Sequence, residues 1–216
     1  MITRFFQHLL QRLLPLLYTR FAWAYDVAAW LVSRGRWHQW QMAVLESLPG
    51  GTLLEIGAGP GHLLSSMLTD GYKVVGLDRS HQMIRRARKR LERLHLPPHL
   101  IQASVAAIPL PDRTLGGALS CFPTDYILQE KTLHELHRVL VPTGCVVIIP
   151  FALPDPSTIW GRVAGWLLQT PPGESQIPQT WQETFHQAGF SSTMDVVKPS
   201  GDVVYRWTLR KRVEEG

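Results

Sequence analysis

The chain has 216 residues, a length that suits one domain at about 100–200 residues per domain. Hydrophobic residues make up 45% and charged residues 18%, so the chain can bury a core and does not read as disordered. Two cysteines, Cys121 and Cys145, exclude a disulfide framework and a four-thiolate zinc site. The formal net charge of +5 is uneven: residues 1–40 carry five arginines against Asp26, a net of +4, which leaves +1 for the rest. The apolar amino-terminal stretch is interrupted at Arg4, His8 and Arg12 and has no small-residue cleavage site. Neither a secretory signal nor a bilayer-spanning segment is therefore expected, and the expected location is cytoplasmic.

Residues 2–14 predict an amphipathic helix. Ile2, Phe5, Phe6, Leu9, Leu10, Leu13 and Leu14 recur at helical spacing, polar residues fill the other face, and Pro15 ends it. A second helix is expected over 19–33 and a third over 36–48, the latter stopping at Pro49-Gly50-Gly51. From Thr52 the pattern alternates. Strand-like runs at 52–56, 73–77, 100–103, 117–121 and 145–150 are separated by helical stretches near 61–69, 81–95 and 128–140, which predicts a parallel sheet covered by helices. A helix near 178–188 then precedes two runs, 193–198 and 203–210, joined by Pro199-Ser200-Gly201-Asp202. These predict an antiparallel pair closing the chain. The domain organisation expected is a helical segment over 1–49 and one α/β unit over 50–216.

The segment that carries chemistry is Leu53-Leu54-Glu55-Ile56-Gly57-Ala58-Gly59-Pro60-Gly61-His62-Leu63. A buried strand runs into a glycine-rich turn and a helix follows at once; glycines permit positive φ and close approach of a ligand to the backbone. The next strand ends near Asp78, where a carboxylate can accept both hydroxyls of a ribose. A nucleoside-type ligand is thus expected at the carboxyl edge of the sheet. The dinucleotide fingerprint needs its third glycine where His62 stands, which disfavours a nicotinamide-dependent oxidoreductase, the first alternative.

Glu55 followed by Gly57, Gly59 and Gly61 resembles the first motif of class I S-adenosylmethionine-dependent methyltransferases. Three further stretches are similar to the family in the same order: Asp78-Arg79-Ser80-x-x-Met83, the run from Ala103 to Pro109, and Leu136-His137-Arg138-Val139-Leu140-Val141-Pro142-Thr143-Gly144. Ala24-Tyr25-Asp26 and the run from Gly35 to Trp40 resemble the lead-in of the menaquinone and ubiquinone C-methyltransferases, the type 11 group. The resemblance implies a Rossmann-like, doubly wound, mostly parallel seven-stranded sheet with an antiparallel C-terminal strand, capped by the amino-terminal helices. It implies an enzyme that uses S-adenosyl-L-methionine and releases S-adenosyl-L-homocysteine. It also implies that Glu55, Gly57, Ala58, Gly59 and Gly61 hold the methionine part and that Asp78 binds the ribose. Arg79 and Met83 would lie beside the adenine, Ser104, Val105 and Ala106 would flank it, and Cys121 and Phe122 would line the floor. The chain departs from the family at Ser104 and Gly116, where acids are usual, and at Thr143, where glycine is usual. Those departures leave a second alternative, a non-catalytic protein of the same fold at a membrane surface.

Cys121-Phe122-Pro123-Thr124-Asp125-Tyr126 lacks the Asn-Pro-Pro-Tyr or Asp-Pro-Pro-Tyr signature of enzymes that methylate base and glutamine amines. No aromatic residue interrupts the basic run from Arg85 to Arg93 either, so nucleic acid is not expected as a partner. Asp125 and Tyr126 are the candidate catalytic pair, with Asp125 able to act as general base. The competing reading makes Asp125 a helix cap and Tyr126 a packing residue. His62 reads as a structural or solvent group, and His134 and His137 lack a third ligand, so no metal is expected. Trp23, Trp30, Trp37 and Trp40, with Ile159, Trp160, Val163, Trp166 and Leu167, form either a greasy lid or ordinary helix packing. With the basic amphipathic residues 1–15 resting on anionic membrane, they point to a small lipophilic or membrane-associated acceptor and to peripheral attachment at the inner face.

Overall fold

The computed structural model describes Ser33, residues 35–162 and residues 179–212. The helix expected over 2–14, nearly all of that over 19–33, and residues 163–168 of the aromatic stretch lie outside the described residues. The chain divides into two compact units, Met1–Trp37 and His38–Gly216, and the second carries the sheet.

Eight strands form one sheet: β1 (Leu53–Ile56), β2 (Val74–Asp78), β3 (Leu100–Gln102), β4 (Leu115–Cys121), β5 (Leu140–Ile149), β6 (Ala152–Leu153), β7 (Phe190–Val197) and β8 (Val203–Lys211). Their order is β3-β2-β1-β4-β5-β8-β6, with β7 on β8. β1 to β5 pair in parallel, and β8 runs antiparallel to β5, β6 and β7. The helices are α1 (Trp37–Met42), α2 (His62–Thr69), α3 (His81–Arg93), α4 (Glu130–Val139) and α5 (Gln179–Gln187). This is the Rossmann-like architecture expected, with the two-residue β6 added to its seven strands. Every residue of β1 is buried, as a central parallel strand covered on both faces requires. After β1 the chain builds β2 and β3 to one side, then crosses to β4 and β5 on the other. The resulting switch point leaves a crevice at the carboxyl ends of β1 and β4.

Element boundaries moved for physical reasons. The helix expected over 36–48 divides into α1 and a 3-10 turn at Leu45–Ser47. Between them the Ala43 carbonyl accepts from Arg206 Nη1 at 2.7 Å, where a continuing helix would need it for Ser47. The last parallel strand begins at Leu140 rather than 145, pairing Leu115 with Leu140 before the ladder resumes at Gly117 and Cys145. Residues 141–144 bulge out between those pairs, with Pro142 and Thr143 exposed. β7 begins at Phe190 rather than 193 because Phe190 is fully buried and pairs with Lys211.

Two buried polar groups on and beside β8 hold the segment around α1. Asp202 accepts from Trp40 Nε1 at 2.7 Å and from the Asp155 amide at 2.8 Å. Arg206 pairs through Nε and Nη2 with Asp195 and through Nη1 with Glu46 at 3.1 Å. Gly116 does the same work without a side chain. A Cβ there would stand 2.2 Å from the Gly50 carbonyl oxygen, so the bare backbone lets the Pro49-Gly50-Gly51 turn lie across the start of β4. The family's usual acid at this position is therefore excluded by packing. Gly116→Asp is expected to lower stability by about 1–3 kcal/mol, read from urea unfolding, because the turn must be displaced.

Candidate functional site

The crevice is built around the turn between β1 and α2. Gly57, Gly59 and Gly61 have φ of 70°, 53° and 77°, a left-handed series that bulkier residues adopt at a cost. The Gly57 and Ala58 amides both donate to the Leu77 carbonyl, at 2.8 and 3.1 Å, which ties the turn to the end of β2. Asp78, the last residue of β2, accepts from the Gly59 amide at 2.9 Å through one oxygen and from the Ser80 amide at 2.8 Å through the other. Each oxygen keeps a second acceptor position. Arg90 braces the turn from α3, with Nε donating to the Pro60 carbonyl at 3.0 Å and Nη2 3.0 Å from His62 Nε2. His62 thus belongs to the scaffold of the turn.

Glu55 lies beneath the turn and is only 4% exposed. Burial, with the nearby Asp78 charge, pushes its carboxyl up from 4.5 to about 8, opposed by a bond from the Leu64 backbone. Its Oε2 has no hydrogen-bond partner among the described residues. Another buried oxygen, Gln41 Oε1 on α1, has none among the described residues either. Nearby, Cys121 Sγ lies 4.0 Å from the main-chain carbonyl of Gln41, and burial, reinforced by the Glu55 charge, holds its thiol protonated. Buried acceptors without donors are rare in folded proteins, so a ligand bearing N–H groups fits this corner. Gln41 had no signal in the sequence, where it reads as one polar residue of an aromatic helix.

Phe122 follows β4 in the left-handed region at φ 55°, with its ring 6.4 Å from that of Trp40 and its amide on the Ile149 carbonyl at 2.7 Å. An aromatic residue held in this conformation is a local strain of the kind found at ligand sites. The chain then makes a 3-10 turn at Asp125–Leu128. The Tyr126 hydroxyl stands 3.0 Å from where a Cβ on Gly57 would lie and 3.3 Å from Ser120 Oγ, so it reaches the glycine turn while its ring packs on the core. Asp125 is exposed and its carboxylate makes no hydrogen bond among the described residues. Gln129, four residues on, occupies the N-cap of α4.

Past Asp78, Met83 is buried on α3 and Arg79 is exposed. Across from them Ser104 is exposed, its hydroxyl accepting from the Ala106 amide at 3.2 Å, with Val105 buried beside it. This loop follows β3, whose last residue, Gln102, pairs with Asp78. Its far end is clamped by Arg138, which donates to the Ile108 and Leu110 carbonyls at 2.8 and 2.9 Å and pairs with Asp112 and Glu135. Glu135 in turn accepts from the Ile108 amide at 2.7 Å. The stretch from Leu136 to Gly144 therefore bears on the site through Arg138, a role its linear pattern did not disclose.

A family model described as a methyltransferase domain matches residues 53–144. The chain is similar to the demethylmenaquinone methyltransferase of Thermus thermophilus, 31% identical over 155 residues that span 68% of this chain and 69% of the relative. It is also similar to the ubiquinone/menaquinone biosynthesis C-methyltransferase of Syntrophotalea carbinolica, 31% identical over 144 residues, or 64% of this chain and 61% of the relative. The fold is shared with a methyltransferase structure from Thermotoga maritima at a TM-score of 0.59 and 20% identity, over 90% of this chain and 97% of that one.

A carboxyl raised in the folded chain binds its proton more tightly there than in the unfolded chain. Folded-state stability is thus undiminished by Glu55 below about pH 4.5 and falls as pH rises toward 8. Glu55→Gln removes this slope. In urea unfolding without ligand, the stability of the variant relative to wild type is expected to improve between about pH 5 and pH 8.

Proposed function

The chain belongs to the class I S-adenosylmethionine-dependent methyltransferases, and on that premise we propose that it methylates a small hydrophobic or membrane-associated acceptor. The observation that carries the reading is the buried Glu55, whose Oε2 has no hydrogen-bond partner among the described residues, beneath a left-handed glycine turn pinned by Asp78. Such an arrangement fits S-adenosylmethionine, whose ammonium supplies the missing donor and whose ribose hydroxyls suit the spare acceptor positions of Asp78. Family membership sets the nicotinamide alternative aside.

When bound, S-adenosylmethionine supplies an electrophilic methyl group on a sulfonium, so transfer is an in-line displacement governed by positioning and water exclusion. Glu55, together with the backbone of Gly57, Ala58, Gly59 and Gly61, holds the methionine end, and Glu55 ionises as the ligand's positive charge arrives. Asp78 orients the ribose. Arg79 and Met83, and across from them Ser104, Val105 and Ala106, would hold the adenine. Cys121 and Phe122 form the apolar floor that keeps water from the reacting atoms. Asp125 accepts a proton from an acceptor that must lose one, and Tyr126 positions that acceptor at the turn.

Two features support the lipophilic acceptor. The relatives include enzymes named for quinone precursors, and Ile159 and Trp160 stand exposed at 75% and 38% in the segment leaving the carboxyl edge. No helix among the described residues is long and apolar enough to cross a membrane, so attachment would be peripheral, through residues 1–15.

Calorimetric titration with S-adenosylhomocysteine is expected to give saturable binding that Asp78→Ala weakens by about ten-fold, or about 1.4 kcal/mol. No binding at millimolar ligand would sink the enzyme reading, and binding without turnover on any quinol or lipid would favour the non-catalytic alternative. Sedimentation with anionic vesicles, lost when residues 1–15 are deleted, tests the membrane part.

A further inference from the structure

The opposite edge of the sheet carries a second site with no place in methyl transfer. A cavity of about 460 Å³ opens at the amino ends of β4 and β5, where antiparallel β8 finishes. Its volume is within the range of small-molecule sites, about 300–1,000 Å³. Arg113, Arg138, Lys211 and Arg212 line it, with His137, against a single carboxylate, Asp112.

Three of the four cations are already held in place. Arg138 pairs with Asp112 at 2.7 Å. Lys211 Nζ donates to the His137 and Leu140 carbonyls at 2.8 and 3.2 Å, which covers the carboxyl end of α4 with positive charge. The Arg212 guanidinium is fixed by His186, through the ring at 2.7 Å and the carbonyl at 2.9 Å. Arg113 is different. Its side chain has no hydrogen-bond or ion-pair partner among the described residues, and its backbone is left-handed at φ 53°, with its amide on the Arg138 carbonyl at 3.0 Å. Partial burial, and after it the Arg113 charge, hold the Lys211 ammonium below its usual range.

We propose that this cavity binds a small multivalent oxyanion, a diphosphate or phosphorylated small molecule, with Arg113 as its free guanidinium fork. Three held cations and the unpartnered Arg113, against Asp112 and the Glu135 that also pairs with Arg138, leave an excess of positive charge that calls for more than one negative charge. Guanidinium groups match phosphate oxygens in pairs, and Lys211 adds a point charge. The site is separate from the glycine turn, since it lies at the other end of the strands, and it does not depend on the methyltransferase reading.

The test is titration of the full chain with inorganic pyrophosphate at constant ionic strength. Arg113→Asn removes the charge while tolerating the left-handed backbone, and Arg113→Lys restores it. Saturable binding to the wild type, weakened about ten-fold in Arg113→Asn and largely recovered in Arg113→Lys, is the expected result. Binding that Arg113→Asn leaves unchanged would overturn the site, as would no saturation by about 10 mM pyrophosphate. Phosphatidic acid vesicles distinguish a lipid source. Capture by the vesicles with no response to pyrophosphate would overturn a soluble ligand.

Discussion

Much of the site depends on one carboxylate. Asp78 ends β2 and receives the amides of Gly59 and Ser80 on separate oxygens, so it joins the turn after β1 to the start of α3. Charge-assisted bonds to backbone amides are stronger than neutral ones, and here they bridge two strands on one side of the switch point. Burial is the main reason the Glu55 carboxyl beneath the turn is raised, and the charge of the same Asp78 carboxylate adds to it. A cationic ligand relieves the repulsion between the two.

Around this centre, two arginines fix irregular chain that sheets and helices cannot fix by themselves. Arg138 binds the carbonyls of Ile108 and Leu110 and so holds the segment that leads back to Ser104–Ala106 against α4. Arg206 terminates α1 by taking the Ala43 carbonyl and reaches Glu46 and Asp195 at once. Both use the planar, multi-donor guanidinium, for which lysine is no substitute. Loops held in this way can carry ligand contacts with little conformational freedom to lose on binding.

The departures from the family pattern have different meanings. Gly116 is a packing requirement, set by the Gly50 carbonyl lying where any side chain would project. Thr143 is exposed in the excursion of residues 141–144, outside the ladder, where its side-chain identity is weakly constrained. Ser104 is the departure that bears on the ligand, since its hydroxyl is exposed on the loop flanking the proposed adenine position.

The alternation of strands and helices, the glycine turn, Asp78 at a strand end and the closing antiparallel pair were all legible in the linear chain. Each is a local signal, set by periodicity, turn residues and spacing. Gln41, the Arg138 clamp and the cationic cavity were not, because they join residues far apart in sequence. Cys121 meets the Gln41 carbonyl across 80 positions, and Lys211 meets His137 across 74. The sequence by itself determined the fold class and where the glycine turn after the first strand stands. The tertiary structure alone decided which buried oxygens lack donors, which arginine ends α1, and where four cations converge, because each follows from what lies next to a group after folding rather than beside it in the chain.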